Sequence, residues 1–136
     1  MKIEELQIGD WVAIGEPDNF HGYTGKVISI NGNTNYVTVF IPCLHEHDVL
    51  VDDLSPIPLT LQWLSKFCIY ESTKGSGFFH LGNNFFLFGN MADAFTICIK
   101  TYDGYSYQYP EIVYCESVHE LQHAIKLLNI DKEIII

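Results

Sequence analysis

The sequence predicts an α+β protein, mainly β. A small N-terminal barrel of the SH3-like kind is expected over residues 1–58. An α+β subdomain of antiparallel hairpins with two helices, packed on it, is expected over 59–136. Three observations carry this. Short β-branched runs separated by Gly, Asn, Asp and Pro fill the N-terminal part. They end abruptly at Asp53-Leu54-Ser55-Pro56-Ile57-Pro58-Leu59-Thr60. Beyond that stop come paired strand patterns around Gly82-Asn83 and Asp103-Gly104, then an amphipathic stripe.

Residues 1–9 read as a lead-in that Leu6, Ile8 and Trp11 pin to the barrel, with Gly9-Asp10 turning into the first strand. The barrel runs are Asp10–Ile14, Gly25–Ile30, Tyr36–Ile41 and Val49–Val51. The long loop 15–24 is polar and aromatic, and in SH3-like barrels the equivalent loop often lines the binding surface. That nominates Phe20 and Tyr23 as binding residues. Asn31-Gly32-Asn33-Thr34-Asn35 is a tight hairpin connection, because Gly and Asn tolerate positive φ.

Pro56 and Pro58 end strand pairing by removing ladder donors. Thr60 caps a short helix over Leu61–Phe67, with Leu61, Leu64 and Phe67 on one side. Gly77–Leu81 and Asn84–Phe88 then flank a two-residue turn at Gly82-Asn83. In that register Phe79, Leu81, Phe86 and Phe88 share one face, and Phe78, His80, Phe85 and Leu87 the other. Both faces are apolar and both want cover. A second hairpin, Ala94–Tyr102 with Tyr105–Tyr109, turns at Asp103-Gly104. Val118, Leu121, Ile125 and Leu128 make the buried stripe of a last helix, and Asn129 stops it. The closing Ile134-Ile135-Ile136 reads as a sticky edge that needs pairing or burial.

Composition narrows the function. Of 136 residues, 17 are acidic and seven are basic, all seven lysine, giving a net charge of −10. Nucleic-acid binders neutralise phosphates with clustered Lys and Arg, so a nucleic-acid-binding barrel is disfavoured. An anionic membrane surface is disfavoured for the same reason. No early segment reads as a signal peptide, and no stretch approaches the ~18 apolar residues of a membrane span. Cys43, Cys68, Cys98 and Cys115 are scattered, without a C-x-x-C pair. They point to a reduced, cytoplasmic setting.

Three constellations could carry chemistry. His119-Glu120-Leu121-Gln122-His123 matches H-E-x-x-H, which in zinc hydrolases sets two imidazoles on one helical face with Glu as general base. Ser117 and Glu120 also form a capping box, which accounts for Glu120 without catalysis. The inward stripe leaves His119 and His123 toward the polar side, and a third ligand would have to come from elsewhere, such as His80 or Glu71. Metal ligation by His119 and His123 is therefore the alternative, not the favoured reading, and no cofactor is expected. In Cys43-Leu44-His45-Glu46-His47-Asp48 an H-x-H pair could chelate a metal, but the same residues suit a polar hairpin loop. Tyr102, Tyr105, Tyr107 and Tyr109 fall on one hairpin face with Lys100 and Cys98. That stripe reads first as a core face or subunit contact, and second as a ligand-facing platform. No phosphate-binding loop or G-x-S-x-G elbow is present.

Three stretches carry a resemblance: Leu6-Gln7-Ile8-Gly9-Asp10-Trp11-Val12, the Asp53–Thr60 stop followed by Trp63-Leu64-Ser65-Lys66-Phe67, and Val118-His119-Glu120-Leu121-Gln122. Together they resemble small proteins of gut Bacteroidetes, without assigned activity, often found in prophage or mobile-element settings. Asn commonly follows the Val-His-x-Leu-Gln run in those proteins, where this chain has His123. The resemblance implies an intracellular accessory protein and supplies no catalytic residues. The expectation is a non-enzymatic interaction module with a protein partner and a tendency to homodimerise.

Overall fold

The computed structural model describes residues 1–15, 23–42, 44–91 and 94–132. It is mainly β with two α-helices, and it divides into two compact units, Met1–Pro58 and Leu59–Ile136. Cys43, Phe20 and the Ile134–Ile136 end lie outside the described residues.

The first unit is one five-stranded antiparallel sheet. Its strands are β1 (Trp11–Ile14), β2 (Tyr23–Asn31), β3 (Tyr36–Ile41), β4 (His45–Leu50) and β5 (Leu54–Ser55). The spatial order is β4-β3-β2-β1-β5, so the last strand returns to pair with the first. A single 3₁₀ turn, Val51–Asp53, makes that return. Among the described residues no sheet closes on itself, so a closed barrel is not present.

Burial alternates along β3 as the sequence pattern demands. Val37, Val39 and Ile41 are buried, while Tyr36 and Phe40 face out. The inward set joins Leu6, Val12, Val27, Val51 and Leu54 in one apolar cluster. Ile8, expected to help pin the lead-in, is exposed instead. The pinning comes from Leu6 and from Asp10, whose buried carboxylate accepts the Gln7 N–H at 2.7 Å. The β2–β3 turn falls where expected. Asn31 Oδ1 accepts the Asn33 N–H at 3.2 Å, and Asn35 takes a left-handed φ of 57°.

The expected polar loop at 43–48 is largely strand. His45 through Leu50 form β4, paired residue for residue with β3 from Ile41↔His45 to Tyr36↔Leu50. Strand pairing wins because the β4 edge can expose its polar side chains while its backbone fills the ladder.

The second unit holds α1 (Leu61–Lys66), β6 (Phe78–Gly82), β7 (Phe85–Met91), β8 (Ala94–Ile99), β9 (Thr101–Tyr102), β10 (Tyr107–Gln108), β11 (Glu111–Cys115) and α2 (Val118–Leu127). Strands β11-β8-β7-β6 make a four-stranded antiparallel sheet, and β9 with β10 a two-stranded ribbon. Thr60 caps α1 by accepting the Trp63 N–H at 3.3 Å. Leu64 and Phe67 are buried there, but Leu61 is exposed. Asn129 ends the α2 region with φ 53°.

Both expected hairpin turns are displaced. Gly82 belongs to β6 and pairs with Phe85, so the turn is Asn83-Asn84, and a bulge between His80 and Gly82 shifts the register. Phe79 therefore opposes Leu87, and Phe78 opposes Phe88. The expected face assignment is overturned for Phe85, Phe86, Leu87 and Phe88. Phe79, Leu81 and Leu87 are buried with Phe95 and Ile97, while Phe78, Phe86 and Phe88 lie half-buried on the opposite face. A slip of one residue moves side chains across a sheet, and an apolar pattern on both faces does not resist it. β11 itself was not anticipated. Its alternation of buried Cys115 and half-buried Val113 with exposed Ile112 and Tyr114 was the available signal.

Candidate functional site: an aromatic sheet face and its tyrosine hairpin

The second hairpin turns through four residues. The Asp103 N–H donates to the Ser106 carbonyl at 3.2 Å, and Tyr102 opposes Tyr107. The Asp103 carboxylate builds this loop. Its Oδ1 accepts the Tyr105 and Ser106 N–H groups, each at 2.8 Å, and its Oδ2 accepts from Gln108 Nε2 at 2.9 Å. The Ser106 and Tyr105 N–H groups hold the Asp103 carboxyl below its ordinary range.

The wider loop redistributes the four tyrosines predicted to share one face. Tyr102 and Tyr107 form a cross-strand pair with ring centroids 5.1 Å apart and are 62% and 61% exposed. Tyr105 sits in the loop, 95% exposed. Tyr109 turns onto the sheet, 4.7 Å from Phe78 and 5.9 Å from Phe86. The core half of the first reading is therefore overturned within the chain for Tyr102, Tyr105 and Tyr107, while a subunit contact needs the same exposed rings.

Tyr109 joins the ribbon to an aromatic face that sequence reasoning did not assemble. Phe78 packs on Phe88 at 4.8 Å and on Phe86 at 6.3 Å, and His80 lies 5.1 Å from Phe86. These offset and edge contacts stabilise the face without covering it. Beneath it Cys98, opposite Phe86, is buried, and burial, aided by Glu111, pushes its thiol up. Lys100, expected near the tyrosines, holds its Nζ 4.2 Å from the Tyr107 ring centroid.

The other candidates fare differently. Tyr23 is exposed at the start of β2 opposite Ile14. His119, expected toward the polar side, is 6% exposed. The physical reason is local: its Nδ1 lies 2.9 Å from Ser117 Oγ, so the buried ring has a polar partner. Its ring centroid is 5.7 Å from that of His123.

Glu120 is committed to the helix start. Its Oε2 accepts the Glu116 N–H at 2.7 Å and the Ser117 N–H at 3.2 Å, and Ser117 Oγ accepts the Glu120 N–H. Glu71 and His80, considered as third ligands, are occupied locally: Glu71 accepts from the Gly77 N–H, and His80 Nε2 lies 3.0 Å from the Asn83 carbonyl. His45 and His47 stand exposed on β4, with His47 Nε2 2.8 Å from the Leu44 carbonyl; Asp48 accepts from Thr38 Oγ1. Among the described residues no three His, Cys, Asp or Glu side chains converge to hold a metal. No helix among them is long and apolar enough to cross a membrane.

Compared with known proteins, the chain matches no family model, no curated protein and no solved structure.

Proposed function

We propose that this chain is a non-enzymatic interaction module that docks another protein through its tyrosine hairpin. One observation carries the reading: Tyr102, Tyr105 and Tyr107 expose more than half of their surface on a hairpin whose loop is shaped by Asp103. Rigid, exposed tyrosines give large contact area at low entropic cost, and each hydroxyl adds a polar handle. The half-buried Phe78, Phe86 and Phe88 extend that area.

The first unit is proposed as an SH3-like module. A meander whose fifth strand returns to the first through a 3₁₀ turn supports that reading. An accessory role in a gut Bacteroidetes prophage or mobile element, acting in the cytoplasm, is part of the same proposal and rests on the sequence resemblance. The engagement of Glu120 by two backbone N–H groups favours this reading over zinc hydrolysis at His119 and His123.

The test is paired affinity capture with wild type and the Tyr102→Ser/Tyr107→Ser double variant. A protein retained stoichiometrically by wild type and lost by the variant is the expected result. Equal recovery by both overturns the proposal.

A further inference from the structure

Resting on the docking role proposed for the tyrosine hairpin, we infer that the occupant is a cationic segment of another polypeptide, which sets arginine or lysine against Tyr102 and Tyr107. The charge of the segment that carries the rings argues for it. Residues 94–116 contain one cation, Lys100, and three carboxylates, Asp103, Glu111 and Glu116, all three carboxylates exposed. Two of these are placed by the hairpin and the sheet: Asp103 builds the loop between the tyrosines, and Glu111 opens β11 opposite Cys98. Glu116, past the other end of β11, accepts from the exposed Tyr114 hydroxyl at 3.0 Å.

The rings already hold a cation. Lys100 Nζ stands 4.2 Å from the Tyr107 centroid, so this pair already binds an ammonium by cation–π contact. The opposing Tyr102 ring, 5.1 Å away, offers a second π surface of the same kind.

Charge also selects among occupants. A second copy of this chain brings a net charge of −10 and no arginine to the same carboxylates. A phosphate backbone meets the same repulsion. A basic segment gains from both the carboxylates and the rings, and its approach is accelerated by the field.

A random-peptide display library, selected in parallel on wild type and on the Tyr102→Ser/Tyr107→Ser variant, tests this. Both substituted positions are exposed, and equal melting temperatures establish that the variant is folded. Peptides specific to wild type and enriched in Arg and Lys over the unselected library are expected. Their binding should weaken about two- to fivefold per tyrosine removed, the size of an exposed cation–π contact. It should also weaken with added salt, and less steeply in Glu111→Gln. Wild-type-specific peptides without cation enrichment overturn the cationic occupant and leave the docking role standing. No wild-type-specific peptide overturns both. A concentration-dependent dimer in light scattering, lost in the double variant, assigns the face to a second copy and overturns the inference.

Discussion

The β2–β3 and β6–β7 hairpins turn on the same residue types but obey different masters. In the first, a clean alternation along β3 sends Val37, Val39 and Ile41 inward. Asn31 and Asn35 supply the turn chemistry at the place the pattern requires. Pattern and turn agree from Asn31↔Tyr36 to Ser29↔Thr38, and a bulge between Val27 and Ser29 shifts the pairing only beyond that. In the second, apolar side chains occupy both faces, and either register buries an aromatic row. The turn forms one residue later, with Asn83 at φ 51°, and the bulge between His80 and Gly82 then decides which side chains face inward. Hydrophobic alternation sets register only where one face is polar.

Truncating core side chains breaks this comparison most strongly. Leu87→Ala should destabilise by about 2–5 kcal/mol, the cost of a buried leucine, whereas Phe86→Ala on the half-buried face should cost about half that or less. Urea melts of the two variants check it. The reverse ranking would restore the register with a Gly82-Asn83 turn.

Tight packing in the first unit gives the next effect. A Cβ on Gly25 would stand 2.3 Å from Val39 Cγ1 and 3.0 Å from the Phe40 carbonyl oxygen. The backbone oxygen cannot swing aside, so Gly25→Ala should cost about 1–3 kcal/mol. In the second unit, a Cβ on Gly89 meets the Phe95 ring at 2.4 Å, a side-chain obstacle only. Phe95 is fully buried and has no space to yield into, so Gly89→Ala should cost about 1–3 kcal/mol as well, and thermal melts of both variants check the match.

Removing the α2 cap is smaller. Glu120→Ala deletes the acceptor of the Glu116 and Ser117 N–H groups and should lower stability by about 0.5–2 kcal/mol, the range of helix caps. An unchanged urea midpoint would sever Glu120 from the capping role.

The smallest effect is a local one in pH. The Asp103 carboxyl is held below its ordinary value in the fold, so its contribution is present above pH ~4. It is lost as pH falls through the depressed value. Tyr105 and Ser106 amide exchange should therefore accelerate below pH ~4, beyond the intrinsic trend, and Asp103→Ala should show that faster exchange at neutral pH.

Much of the architecture was legible in the residues. The Tyr36–Ile41 strand, the Thr60 cap of α1 and the Ser117/Glu120 capping box stand where local chemistry put them. Local signals suffice there because each is complete within a few residues. The β11 strand was missed, although Ile112 and Tyr114 alternate with Val113 and Cys115. The aromatic face was not legible at all. Phe78, Phe86 and Tyr109 meet only after the β6–β7 bulge and the four-residue Asp103–Ser106 loop have set their faces. The burial of His119 was missed because a hydroxyl two residues upstream satisfies its ring, a pairing that helical periodicity does not encode.

The return of β5 to β1 also governs when the first unit can form. Ala13 pairs with Ser55 and Ile14 with Leu54, and Ser55 Oγ donates to the Gly15 carbonyl at 2.9 Å. These bonds span about forty residues of chain, so loop closure must be completed before they repay their entropy. During synthesis, β1 to β4 leave the ribosome with the β1 edge open. The sheet is finished only when Leu54 and Ser55 emerge. Until then the open β1 edge is the place where pairing with another chain competes with folding.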